Sequence, residues 1–136
     1  MIYITRKEQF SAAHRMYREG WSDEENLRIF GKCSNPNWHG HNYVLYVTVK
    51  GDISEDLGLF INLNTLKQII KEKIIEKVDH KNLNIEVSFM HGKIATTENL
   101  AMAIWNELKP AIEKEGAVLH CIKIGETENN TIEYYG

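Results

Sequence analysis

Two histidines separated by one glycine, His39-Gly40-His41, run directly into Tyr43 to Lys50, YVLYVTVK, where β-branched and aromatic side chains dominate. That composition fits an extended strand. Successive side chains on a strand alternate faces, so both imidazoles project the same way. A chain with this feature must build a sheet that delivers two nitrogen ligands at the start of one strand, a pairing suited to a borderline cation such as zinc. Cys33 lies just upstream, before the turn-rich run Ser34-Asn35-Pro36-Asn37, where a thiol is available to react rather than to pack.

At 136 residues the sequence is long enough for one domain, expected to span 1–136, and short for two. With 43% hydrophobic and 26% charged residues, it has ordinary globular composition. The net charge of −3, with Lys and Arg dispersed, argues against a nucleic-acid partner, which would require a basic stripe. No apolar run reaches the length of a membrane span, and MIYITRKEQF lacks a signal-peptide pattern, so cytoplasm is the expected location and no membrane partner is expected. Cys33 and Cys121 are far apart and unlike a disulfide framework. Cys121, in the apolar run VLHCIKI, reads as a buried core thiol.

Ile2 to Ala13 reads as a first strand ending in Phe10-Ser11-Ala12-Ala13-His14-Arg15. A long polar stretch follows, Met16 to Trp38, in which Asp23 to Leu27 can form one helical turn. The second strand covers about His39 to Lys50. Gly51 and Gly58 bracket a connection, and Leu59 to Ile61 is expected to return as a short antiparallel strand. A helix capped by Asn62 or Asn64 carries Leu63, Leu66, Ile70 and Ile74 on one face and ends near Val78. Asp79 to Asn84 reads as a polar loop. A second helix opens at Ala95-Thr96-Thr97-Glu98, with the stripe Leu100, Ile104, Leu108 and Ile112. Pro110 should kink it late and Gly116 should stop it. Ala117 to Gly125 and Thr131 to Tyr135 are the last strands, with Val118, His120, Ile122 and Ile124 expected on one face of the former. The order is ββααββ, an α+β fold: an antiparallel sheet with two helices on one face. The other face is mixed in character, which points to association through sheet edges or faces.

If the first two strands pair antiparallel, the end of one lies beside the start of the next. His14 then converges on His39 and His41. A lone histidine is usually structural, but three at one strand junction with an open fourth position form a catalytic zinc pattern. Cys33 as a fourth ligand would instead close the site and make it structural. Asp79-His80 alone reads as polar loop. Glu126 is either a solvated strand end or a carboxylate able to accept paired N–H bonds from a guanidine-like group. His91 and His120 have no evident partners.

FSAAHR, SDEENLRIFGKCSNPNWHGHNY, VDHKNLN, TTEN and ETENN, in this order, resemble the motifs of the 6-pyruvoyltetrahydropterin synthase family over nearly the whole chain. The resemblance implies the tunnelling fold, with three subunits forming a barrel and two trimers stacking into a homohexamer. It implies zinc held by His14, His39 and His41, and catalytic roles for Cys33, Asp79 and His80. Glu126 takes the place of the pterin anchor, with Thr96, Thr97 and Glu98 near the ring. The site would lie between subunits, with Cys33 and the Asp79-His80 pair from different chains. The implied substrate is 7,8-dihydroneopterin triphosphate, converted to 6-pyruvoyltetrahydropterin by loss of triphosphate and an internal redox shift, without a redox cofactor. Arg15 and Lys32 are candidate cations for the triphosphate.

A sister branch, serving queuosine biosynthesis, makes 6-carboxytetrahydropterin from the same substrate. Its cysteine usually stands three residues from the HGH run, whereas Ser34 to Trp38 intervene here and SDEENL is present, which favours the pyruvoyl branch. Two other readings remain: an inactive zinc- or pterin-binding protein of this fold, and a zinc-independent dihydroneopterin aldolase. One departure from the family pattern is Trp38, where a smaller residue such as glycine is expected.

Overall fold

The computed structural model describes residues 1–136. Strand β1 (Ile2–His14) pairs antiparallel with β2 (His39–Gly51) along its whole length, from Ile2 opposite Gly51 to His14 opposite His39. Both strands alternate buried and accessible residues, and the shared buried face sets the register. β4 (Val118–Thr127) pairs antiparallel with β2, and β5 (Asn130–Tyr134) with β4. The expected order of four long strands and intervening helices holds.

The sheet has one strand more than expected. β3 (Lys81–Asn82) lies parallel to β1 opposite Ala12 and Ala13, giving the order β3-β1-β2-β4-β5 in an open, mixed sheet. The loop expected over Asp79 to Asn84 is tied to that edge by His80 N–H on the Ser11 carbonyl (2.6 Å) and Leu83 N–H on that of Ala13 (2.8 Å). Two residues are too few to show a strand period. Conversely, Leu59 to Ile61 form no strand. Phe60 lies over Gly51, so closely that a Cβ there would meet its ring at 2.5 Å, and Ile61 is buried. This segment closes the end of the sheet through side chains rather than through backbone pairing.

The polar stretch after β1 holds a full helix, α1 (Asp23–Phe30), instead of one turn. Ser22 caps it through Glu25 N–H (3.1 Å). The Asn26 side chain folds back onto the backbone of Arg18, Trp21 and Ser22. A 3-10 turn, Gly31–Ser34, follows and carries Cys33. Asn62 is the residue that caps α2 (Leu63–Ile70), which continues through a π-helical turn, Lys71–Ile75, into α3 (Glu76–Val78). Thr96 caps α4 (Thr97–Lys114). That helix runs on past Pro110. The carbonyl that proline leaves without a donor belongs to exposed Asn106, while Leu108 and Ile112 on either side are fully buried. Gly116, at φ +80°, ends the turn after the helix as expected.

Helices α2 and α4 cover one face of the sheet. Phe10, Tyr43, Leu45, Val47 and Ile124 meet Leu66, Ile70, Leu100, Ile104 and Leu108 there in one buried cluster. A register shift between Thr48 and Val49 breaks the alternation expected in β4. Leu119, Ile122 and Ile124 are buried, whereas His120 is only half-buried and Val118 is exposed. Such a bulge inserts one unpaired residue and flips every later side chain to the other face. As a result Leu119 joins Ile122 and Ile124 on the helix-covered face, and Glu126 follows those two by alternation. No helix is long and apolar enough to cross a membrane.

Candidate active site

The last residue of β1 and the first residues of β2 bring His14, His39 and His41 together. Their ring centroids are 4.5 to 5.1 Å apart, and one ring nitrogen of each lies within 4.8 Å of the other two. Gly40 between the two β2 histidines leaves little room for a side chain, because a Cβ there would come to 3.0 Å from the Ala12 carbonyl oxygen on β1. His14 is completely buried. Its Nδ1 lies 2.7 Å from the Ala95 carbonyl oxygen. A carbonyl only accepts, so Nδ1 carries the proton and Nε2 presents its lone pair to the group.

These residues fit a metal ion. His14 Nε2, both ring nitrogens of His39 and His41 Nε2 are buried without a hydrogen-bond partner, which is costly unless something binds them. Burial, followed by repulsion from neighbouring imidazolium, lowers the pKa of His39. Burial also lowers that of His14, against the opposing pull of the Ala95 carbonyl. Both therefore favour the neutral, ligating form. Three imidazoles suit zinc and leave room for a further ligand. Cys33 is outside this group. It is half-buried as a free thiol on the 3-10 turn, whose backbone is held by Met16 N–H on the Cys33 carbonyl (2.8 Å).

Glu126 comes to the triad from β4. Its Oε1 is 3.5 Å from His41 Nε2, close but too long for a good hydrogen bond. Its Oε2 accepts a hydrogen bond from Thr97 Oγ1. Thr97 is buried in the first turn of α4, so the helix start and the bulged strand together aim this carboxylate. Thr96 uses its hydroxyl as the helix cap, and Glu98 is exposed in the same turn.

Asp79 and His80 are brought together on the other side of β1 from β2, and His80 lines the same pocket as His41 of the triad. His80 Nδ1 is 3.0 Å from Asp79 Oδ1, which also accepts from Ser11 N–H at 3.0 Å. The pair sits on the edge of β1 opposite β2, and the His80 side chain is 82% exposed. The Ser11 amide, more than the neighbouring His80, holds the Asp79 pKa below the usual carboxylate range. A depressed carboxylate contributes stability above its unfolded pKa of about 3.9 and loses it as pH falls through the folded value. Asp79→Asn keeps the acceptor but not the charge. It is therefore expected to lower the melting temperature relative to the parent at pH 7, and the two curves should converge as pH drops below about 4. Parallel melts over pH 2.5 to 7 test this; a gap that persists at the acid end would contradict it.

The only two non-glycine residues in the left-handed region are Trp38, at φ +67°, and His80, at φ +60°. One immediately precedes a histidine of the triad and the other belongs to the dyad, in keeping with backbone strain held at functional sites. The expectation of a glycine at position 38 has its physical reason here, since only glycine adopts this φ without cost.

Tyr43 did not stand out as a site residue, although it continues the spacing of His39 and His41 on the same face of β2. Its ring is edge-on to His14 and His41, at 6.0 and 5.5 Å, and its hydroxyl is fully buried with no partner. Burial, reinforced by the Glu126 and Cys33 charges, pushes its pKa up and keeps the phenol protonated. Tyr43→Phe removes this orphan hydroxyl without opening a cavity. The variant is expected to stabilise the metal-free protein by about 1 kcal/mol in urea unfolding, and a loss of that size would contradict the assignment.

An α+β tunnelling-fold chain with a three-histidine group able to hold a metal ion defines the class of protein. Comparison with known proteins gives the family. A family model described as 6-pyruvoyl tetrahydropterin synthase matches residues 3–136. The chain belongs to that family. It is 48% identical over 135 residues to 6-pyruvoyl tetrahydrobiopterin synthase of Dictyostelium discoideum, covering 99% of this chain and 96% of the relative. The solved structure of Caenorhabditis elegans 6-pyruvoyl tetrahydropterin synthase superposes with a TM-score of 0.92 at 38% identity, covering 99% of this chain and 95% of that one. A more distant relative, 6-carboxy-5,6,7,8-tetrahydropterin synthase of Rickettsia bellii, is 28% identical over 149 residues, covering 98% of this chain and 99% of the relative.

Proposed function

We propose that this chain, as one pterin-synthase domain over residues 1–136, is a zinc-dependent 6-pyruvoyltetrahydropterin synthase. It eliminates triphosphate from 7,8-dihydroneopterin triphosphate, as a carbon–oxygen lyase in the cytoplasm. The observation that carries the reading is the buried triad of His14, His39 and His41 with unpartnered ring nitrogens, beside a carboxylate aimed by Thr97. Zinc at these three imidazoles supplies Lewis-acid polarisation of the substrate's side-chain hydroxyls. Glu126 accepts paired N–H bonds from the pterin and sets the position of the reacting carbons, with Thr96, Thr97 and Glu98 around the ring. The Cys33 thiolate takes a proton from the substrate side chain. His80, oriented by Asp79, returns one. The electrons stay within the substrate, so no external oxidant is required.

The exposed Asp79-His80 edge favours a site completed by a neighbouring subunit in a homohexamer built as a dimer of trimers. The sheet of the single chain is open, and a closed barrel belongs to that assembly. Mass analysis of the pterin formed from the triphosphate by the zinc-loaded protein tests the reading, with Cys33→Ala as control. A pyruvoyl product that disappears in the control supports it. A 6-carboxytetrahydropterin product moves the protein to the queuosine branch. Absence of either product from a zinc-loaded, assembled protein overturns the synthase reading in favour of a binding role.

A further inference from the structure

Arg15 follows His14 directly and was a candidate cation for the triphosphate. Its hydrogen bonds give it other work. Nε donates to the Ser34 carbonyl at 2.7 Å, and the guanidinium lies 4.2 Å from the Tyr17 ring centroid. Ser34 is buried, and its hydroxyl donates to the Gly31 carbonyl, closing the 3-10 turn that carries Cys33. One residue on, Met16 N–H bonds the carbonyl of Cys33 itself. The Arg15 backbone is gripped in turn by Asn84. Its N–H donates to Asn84 Oδ1 at 3.0 Å, and its carbonyl accepts from Asn84 Nδ2 at 2.8 Å. Asn84 closes the segment that begins with Asp79 and His80.

We propose that Arg15 is a positioning residue that fixes Cys33 relative to the histidine triad, and that Asn84 holds Arg15 in place to do so. The proposal rests on the catalytic reading of Cys33. The geometry points to positioning because Nε is committed to the carbonyl of the Cys33 turn and the guanidinium lies against the Tyr17 ring; the Nη groups make no hydrogen bond, so the test separates positioning from a phosphate contact. A flexible lysine ammonium does not reproduce a planar fork held at both places. A shift of the turn of about 1 Å is enough to cost roughly a hundredfold in rate while leaving substrate affinity intact.

The test compares Arg15→Met, Arg15→Lys and Asn84→Ala with the parent in the zinc-loaded oligomer. Four quantities are read: kcat, KM, bound zinc, and the rate of Cys33 alkylation by iodoacetamide, followed at that peptide so that Cys121 does not contribute. The expected result is kcat lower by roughly a hundredfold in both Arg15 variants, and by about tenfold in Asn84→Ala, with KM and zinc content near the parent's. The Cys33 alkylation rate should change in all three. A KM increase at unchanged kcat, partly restored by lysine, would overturn the proposal in favour of a phosphate contact. An unchanged alkylation rate would overturn it as well. If Arg15→Met fails to fold, the lysine and Asn84 variants decide by the same criteria. Should Cys33→Ala retain full turnover, the catalytic reading of the thiol fails, and the alkylation rates still report whether Arg15 positions the turn.

Discussion

His14→Ala is expected to abolish metal retention and turnover together. Truncation removes one of three ligands and a fully buried ring, and it strips the Ala95 carbonyl of its only named donor. Changing a group that merely orients a ligand already costs about 10- to 100-fold in metal affinity, so loss of the ligand itself should exceed roughly a hundredfold. The orphaned carbonyl adds about 1–3 kcal/mol of destabilisation in the metal-free protein. Metal content after dialysis and the melting temperature with and without chelator measure the two effects separately. In the parent, excess metal at a thousand times its Kd should stabilise by about 4 kcal/mol, and the variant should lose that increment. Stoichiometric zinc in His14→Ala would refute the triad as the metal site.

Cys33→Ala is expected to do the opposite to metal and the same to turnover. The thiol is half-buried and stands apart from the three ligands. Its loss should leave zinc content unchanged and stability within about 0.5 kcal/mol of the parent. A positioned general base contributes typically 10²- to 10⁴-fold, so kcat should drop by about a thousandfold. Zinc analysis, urea unfolding and steady-state kinetics on one preparation separate the outcomes. If zinc affinity and stability fell together with activity, Cys33 would be a fourth ligand of a closed, structural site.

Much of the fold was legible in the sequence because the relevant chemistry is local. Alternation in YVLYVTVK, the cap at Asn62, the threonine opening α4 and the stop at Gly116 each depend on residues within one or two turns of each other. The triad was legible for a related reason. His39 and His41 share a face by strand geometry alone, and antiparallel pairing of neighbouring strands then delivers His14. Where the reading failed, the controlling contact was distant. The two-residue β3 is held by backbone groups of Ser11 and Ala13, and its own sequence has no strand period. Leu59 to Ile61 look like a strand but close against Gly51 through Phe60.

By itself, the sequence determined the order of the four long strands and the two long helical segments, the apolar face of β2, α2 and α4, and the identity of three converging imidazoles. Only the tertiary structure decided that Thr97 holds the Glu126 carboxylate beside His41, and that Asp79 and His80 stand on the far edge of β1. It likewise left the Tyr43 hydroxyl without a partner and joined Arg15 to both Asn84 and Ser34. The physical reason is one of range. Periodicity and capping are set by neighbours along the chain, whereas strand register and hydrogen bonds such as that between Arg15 and Asn84, 69 residues apart, exist only once packing has brought those segments together.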